Sequence, residues 1–404
     1  MTRVKLRAGF IPLIDCAPLI VAAKTGLGAA EGLDIELVRE TSWATLRDRM
    51  AVGHLDAAHM LAPMPIAANL GLTPLPARLV APMSLGSGGN TITVSKTLWA
   101  ELHQHGATAD LDAAHGSRGF AGAVAARRAA GRPKLVIAVV HTHSAHRYQL
   151  AYWLSASGVD PRSDIDLVVV PPPLMASALA AGQIDGFSAG EPWGSVAAAI
   201  GAGVIVTTNA HIWRSSPEKV LGLREAWVEA NADVTDRLVR AVQHAAVWCD
   251  DANNREELAK MLAQAEVLAG STEVIRNSLE RRVVRADGEV HEVDGFLSFA
   301  ARSGTFPWIS HAFWFYSQMI RWGETEYRED LLAAARSAYR PDIFRRALDA
   351  TGMTLPAANS KVEGLLKEAY PVGSAKGTLY LGPDSFFDGR VFDPDRVADY
   401  VASL

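Results

Sequence analysis

Residues 134–200 read KLVIAVVHTHSAHRYQLAYWLSASGVDPRSDIDLVVVPPPLMASALAAGQIDGFSAGEPWGSVAAAI. Aliphatic runs at Lys134–Val140, Asp164–Val170 and Ile184–Phe187 predict strands, and the segments 144–157, 174–181 and 193–200 predict helices between and after them. After each strand comes a polar or backbone-rich corner: His141-Thr142-His143-Ser144-Ala145-His146, then Pro171-Pro172-Pro173, then Ser188-Ala189-Gly190-Glu191-Pro192-Trp193. Such loops meet at one edge of an open α/β sheet, where these folds bind ligands.

The N-terminal 70 residues repeat this grammar. Strand 3–10 leads into a predicted helix 16–30 with a stop at Gly32, strand 33–38, a helix from Ser42 to about Ala51, a short strand within 53–60 and a helix 63–70. Asp34-Ile35-Glu36-Leu37-Val38 echoes Asp164-Ile165-Asp166-Leu167-Val168, 130 positions later. Gly53-His54-Leu55-Asp56-Ala57 echoes Gly182-Gln183-Ile184-Asp185-Gly186, and the Thr41-Ser42-Trp43 turn falls where the three prolines fall. Any two β-α-β units share element types, but the agreement of detail favours two similar lobes facing a cleft. Binding proteins close such clefts on small ligands by hinge motion.

Between the lobes, Gly86-Ser87-Gly88-Gly89 reads as a flexible or backbone-exposing loop, and Asn90–Ser95 as a β-branched crossover strand. The chain crosses back after Val204–Thr208, past Trp213 and the run 217–222. Residues 224–285 look helical, with Trp227, Val228, Leu238, Val239, Val242, Val247 and Trp248 as core at helical spacing. Residues 305–322 hold seven aromatics, which fits a buried helix face or a partner-binding patch. From about Tyr370 onward the pattern is that of a wrapping tail.

Composition narrows the function. Of 404 residues, 49% are hydrophobic and 21% charged, as in ordinary globular proteins, and the net charge of −5 gives no footprint for nucleic acid. Two distant cysteines, Cys16 and Cys249, exclude a disulfide framework and read as buried small hydrophobes. No run of 18 apolar residues occurs, and no charged and apolar leader precedes the first strand, so a cytoplasmic location is expected (periplasmic if a signal was trimmed). The nucleophile-elbow, P-loop, dinucleotide and zinc-protease motifs are absent, so the expectation is a binding protein and not an enzyme.

Three histidines within six residues fit a metal site, a structural role, or an anion site at a helix start. No carboxylate lies close in sequence, so the metal reading is the weakest and no cofactor is expected. His146 follows the N-cap candidate Ser144, where free helix N–H groups suit an anion, while His141 and His143 fit scaffolding. Trp43 offers an indole donor, Asn90 an amide and Lys219 a point charge. Pro172 and Pro173 form a rigid wall, and Ala189-Gly190 lets backbone approach closely. Each also has a bland reading: Asn90 as a backbone partner, Lys219 as a surface lysine, and Glu191 as a turn or cap residue rather than a base.

The motifs GFIPLIDCAPLIVAAKTGL, SWATLRDRM, LDAAHMLAPMPIA, GNTITVS, SAHRYQLAYWL, VVVPPPLM, IDGFSAGEPW, PEKVLG and FPWISHAFWFYSQMIRWG resemble the nitrate-binding family of ABC-transport receptors. The resemblance spans roughly 4–325. It implies an α/β, two-lobed periplasmic-binding-protein-like (type II) fold with a ligand cleft between lobes and a helical C-terminal extension. Lobe I would comprise 1–92 and 207–404, and lobe II 93–206. Nitrate would then meet Trp43, His146 and Lys219, together with Asn90, Pro172 or Pro173, and Ala189 or Gly190. Bicarbonate-binding relatives place an acid near the lysine and use calcium, so Lys219 implies nitrate or nitrite without metal. Because no leader precedes the first strand, the chain is similar to the family's cytoplasmic nitrate/nitrite sensors, which release an RNA-binding ANTAR antiterminator on binding ligand. The alternative is the receptor of an ABC permease. An enzyme on this fold, like the thiamine-pyrimidine synthases, would need a cysteine-rich motif.

Overall fold

The aliphatic runs become two five-stranded sheets, wrapped by the helices that the intervening 3.6-residue patterns specify. The computed structural model describes residues 3–285, 288–374 and 376–404. The first sheet has the order Leu33–Arg39, Val4–Phe10, Ala57–Leu61, Lys219–Arg224, Leu79–Ser84. The second has the order Ile165–Val169, Leu135–Val139, Gly186–Gly190, Asn90–Ser95, Gly203–Thr208.

In each sheet the first three strands are parallel and the fourth is antiparallel. That fourth strand arrives from the other sheet, so the chain crosses twice, through 85–89 and 209–218. Even the register irregularity recurs, between Leu221 and Leu223 in one sheet and between Ile205 and Thr207 in the other. The sequence echo is therefore a topological repeat. Asn90–Ser95 and Gly203–Thr208 lie wholly in the second sheet, so the expected borders at 92/93 and 206/207 fall inside these strands.

Several local expectations change. The predicted helix 16–30 is split into Ala17–Lys24 and Leu27–Ala30, because Gly26 at φ +85° ends the first helix in the left-handed region. Ser188, Ala189 and Gly190 are strand rather than turn, since they pair with Ile92, Thr91 and Asn90. The glycine loop is packed and not loose: a Cβ on Gly88 (φ +76°) would sit 2.2 Å from the Phe296 carbonyl. In helix Ala232–Asp250 the buried stripe is Leu238, Val239, Val242, Ala245, Ala246 and Cys249. Val247 falls off that stripe and is 49% exposed, while Trp227 and Trp248 are half-buried. Both cysteines are buried thiols.

The aromatic segment forms helix Ile309–Arg321, buried from Ile309 to Met319, so its aromatics are core. This extension touches both lobes. Tyr339 bridges to Ala81 on the edge of the first sheet. Glu324 accepts from Arg147 and, at 2.7 Å, from the Tyr148 hydroxyl, both on helix Ala145–Ser155 beside the second sheet. The tail adds a hairpin, Tyr370–Gly373 with Thr378–Leu381, and Phe386, which stacks on Trp213 at 4.6 Å.

Candidate functional site

Lys219 begins the strand Lys219–Arg224, paired with Leu61, and only 1% of it is exposed. A lysine is buried this deeply only when its charge is met. Its ammonium donates to Asp15 Oδ2 at 2.7 Å and to Glu218 Oε2 at 2.9 Å. Asp15 sits in the 3-10 turn Ile14–Cys16, just beyond the first strand, and its Oδ1 is 2.8 Å from His59 Nε2. The Trp43 ring lies 5.4 Å from the His59 ring, and the Lys219 ammonium stands 5.7 Å from the Trp43 ring centre. Trp43 is held there by helix Trp43–Ala51, whose N-cap Ser42 accepts from the Thr45 amide at 3.2 Å.

The second sheet supplies the facing groups. Asn90 pairs with Gly190, which brings both to one point of the sheet edge. A Cβ on Gly190 would lie 3.2 Å from Asn90 Oδ1 and 3.6 Å from His146 Nε2, so only glycine admits this approach without displacement. His146 enters from the first turn of helix Ala145–Ser155, capped by Ser144, and its Nε2 is 3.6 Å from Glu218 Oε2. The carboxyl ends of both sheets thus meet at Lys219, Glu218, His146, Asn90 and Trp43.

Electrostatics set the protonation states. Burial by itself would raise the Asp15 carboxyl, but the Lys219 ammonium and His59 outweigh it and hold the group below the usual carboxylate range. Burial pushes the Glu218 carboxyl up to about 7, against the opposing pull of Lys219. Lys219 is raised, because Asp15 and Glu218 overcome the burial that would lower it. Burial, with Lys219 nearby, lowers His146 well below its ordinary value. Burial likewise lowers His59 despite Asp15, so the neutral ring must carry its proton on Nε2 to donate to that carboxylate.

Among the described residues, Trp43 Nε1, both side-chain polar atoms of Asn90, both ring nitrogens of His146 and Glu218 Oε1 make no hydrogen bond within the protein. Asn90 stands close enough to Glu218 to restrain its pKa, yet its amide lacks hydrogen-bond geometry toward that carboxyl. Buried donors without acceptors cost free energy, and they collect where a ligand supplies the acceptors. Among the described residues no set of three His, Cys, Asp or Glu side chains is placed to hold a metal.

The structure brings Trp43, Asn90, His146, Gly190 and Lys219 together. Ala189 is buried next to Gly190, but strand alternation turns its side chain to the opposite face. Pro172 is buried and Pro173 half-buried in the 3-10 turn Pro172–Leu174, and the polar contacts of the cluster run through other residues. His141 and His143 brace the helix start: the His143 amide donates to His141 Nδ1 at 3.0 Å, and the Ser144 hydroxyl to the His141 carbonyl at 2.7 Å. Burial and the neighbouring His143 take His141 down to about 3. Asp15, His59 and Glu218 escaped sequence reading. A carboxylate placed just past the first strand, and Glu218 adjoining Lys219, were the available signals.

Two lobes of matching strand order, crossed twice, with buried donors from both sides gathered near one lysine, form the two-lobed periplasmic-binding-protein fold. The chain belongs to the NMT1-like family, whose model matches residues 2–263. It is 33% identical to the nitrate/nitrite binding protein NrtA of Synechococcus elongatus, over 98% of this chain and 85% of that one. It is 34% identical, over 99% of its length, to the nitrate import ATP-binding protein NrtC of Synechocystis, of which it covers 55%. The crystal structure of the periplasmic nitrate-binding protein NrtA from Synechocystis PCC 6803 superposes with a TM-score of 0.85 at 27% identity, covering 100% of this chain and 98% of that one.

Proposed function

We propose that this chain binds nitrate or nitrite between its lobes and presents it to an ABC-type importer as the substrate-binding component. The observation behind this reading is the set of buried, unpartnered donors from both sheets (Trp43 Nε1, Asn90 Nδ2, His146) gathered around Lys219. A small oxyanion offers acceptors in several directions, and donors split between two lobes are satisfied together only when the lobes are closed on it. Pro172, Pro173 and the Ala189-Gly190 backbone complete the wall in this reading. The second lobe runs from about Asn90 to Thr208, with the rest as the first lobe and its extension.

One relative named above is a nitrate import ATP-binding protein and another a periplasmic nitrate-binding protein, which favours transport over the regulatory role expected from the sequence. A sensor would use the same site and release an ANTAR-class antiterminator when the lobes close on the ligand. The discriminating screen is thermal shift with nitrate, nitrite, bicarbonate and an alkanesulfonate, since a ligand bound only by the folded state raises its melting temperature. Nitrate or nitrite should raise it while the others leave it unchanged. A shift with bicarbonate or sulfonate alone would refute the assignment.

A further inference from the structure

Counting charge around Lys219 raises a difficulty for any anion. The ammonium is already matched by Asp15 at 2.7 Å and shared with Glu218 at 2.9 Å. The charged and titratable groups facing Glu218 are Lys219 at the start of the strand that follows it, Asp15 on the turn after the first strand, and His146 on helix Ala145–Ser155, with the Asn90 amide of strand Asn90–Ser95 beside them. Tyr339 of the extension lies near as well, its hydroxyl committed to the Ala62 carbonyl at 3.2 Å. Behind Asp15 stands His59, which is neutral, as is His146. With Glu218 ionised the cluster sums to −1 (Asp15 −1, Glu218 −1, Lys219 +1) before the ligand arrives. A monoanion entering this buried cluster would meet a second carboxylate, with no cation beyond Lys219 beside it among the described residues.

Nitrate and nitrite are conjugate bases too weak to bring a proton themselves. We propose that Glu218 binds the anion as a neutral carboxylic acid, its Oε1 donating a hydrogen bond to an anion oxygen, so that one proton enters the site with each ligand. The proton comes from solvent and stays on Glu218. Oε2 keeps its bond from Lys219, while Oε1, without a partner among the described residues, gains one. The buried carboxyl already titrates at about 7, where this uptake is cheap. The inference rests on the anion-binding reading above, which it deepens.

Calorimetry of nitrate and of nitrite binding to the full chain, at pH 8 in two buffers of different ionisation enthalpy, counts the protons. Uptake of about one proton per anion is expected, with affinity level below about pH 6 and falling about tenfold per pH unit above about 8. Glu218→Gln should abolish both the slope and the buffer dependence. Binding by the wild type with no proton uptake would overturn the inference and leave the function standing. So would a Glu218→Gln protein that keeps the wild-type slope, because the proton would then reside elsewhere. If that variant does not fold, the wild-type proton count decides by itself. Absence of nitrate and nitrite binding even at pH 6 would sink the function and the inference together.

Discussion

Replacing Lys219 with methionine keeps most of the buried volume but removes the cation that Asp15 and Glu218 share. Breaking a buried pair by deleting one partner costs about 3–5 kcal/mol, because the other charge is left uncompensated. The two carboxyls differ in how they escape. Glu218, already raised to about 7, takes up a proton readily, whereas Asp15, ionised in the wild type, loses its main cation and keeps only the His59 bond at 2.8 Å. The loss should therefore lie near about 3 kcal/mol at pH 6 and move toward about 5 at pH 8, where Glu218 resists protonation. Urea unfolding of wild type, Lys219→Met, Asp15→Asn and the double variant at both pH values measures this. Removing the stranded carboxylate should recover about 2 kcal/mol, a coupling expected only of residues in contact. A loss under about 1 kcal/mol at both pH values, with additive single variants, would refute the charge-matching argument. Anion affinity should fall as well, by about 1.5–3 kcal/mol or roughly 10- to 150-fold in Kd, the worth of a charge-assisted hydrogen bond.

Trp43→Phe separates binding from stability. The indole N–H makes no bond within the protein, so urea unfolding should lose only the packing of the buried ring, about 1–2 kcal/mol, while nitrate affinity drops by about 1.5–3 kcal/mol. Equal affinities would remove the indole from the ligand's contacts. Gly190→Ala places a methyl 3.1 Å from Leu13 Cδ2 and 3.2 Å from Asn90 Oδ1, so calorimetry should show at least about a tenfold loss of affinity. Unchanged binding would mean that the strand is free to shift. Glu191 is buried with long contacts to the Ser195 amide at 3.4 Å and the Ser278 hydroxyl at 3.3 Å, and burial raises its carboxyl to about 7 from an ordinary 4.5. The folded state then holds this proton more tightly than the unfolded chain. Its contribution to stability therefore declines as pH rises from about 4.5 through about 7, and is fully unfavourable above that. Glu191→Gln should gain about 2–3 kcal/mol relative to wild type at pH 8 and nothing at pH 4.5. An identical difference at both pH values would contradict this.

Particular elements show where sequence reading succeeds. The paired aspartate-led strands 34–38 and 164–168, at almost the same offset as the glycine-led segments 53–57 and 182–186 that follow, encode two similar lobes, because strand alternation and turn chemistry are local properties. Ser42 and Ser144 were legible as helix caps for the same reason, and they orient Trp43 and His146. Gly26, Val247 and the strand 188–190 were misread where a single left-handed residue, a one-position phase error or a pairing partner some 98 residues away decided the outcome (Ser188 with Ile92 is 96, Gly190 with Asn90 is 100).

By itself the sequence determined the two-lobed α/β architecture and singled out Trp43, Asn90, His146 and Lys219, which the fold brings together. Only the tertiary structure decided the charge state of the site. Lys219 meets Asp15 across 204 residues, and Glu218 meets His146 across the gap between the two sheets. Whether a carboxyl there is an anion or an acid depends on burial and on neighbours brought in by folding, and no local pattern records either. The extension's reach across both lobes, through Tyr339 on one side and Glu324 on the other, is of the same kind.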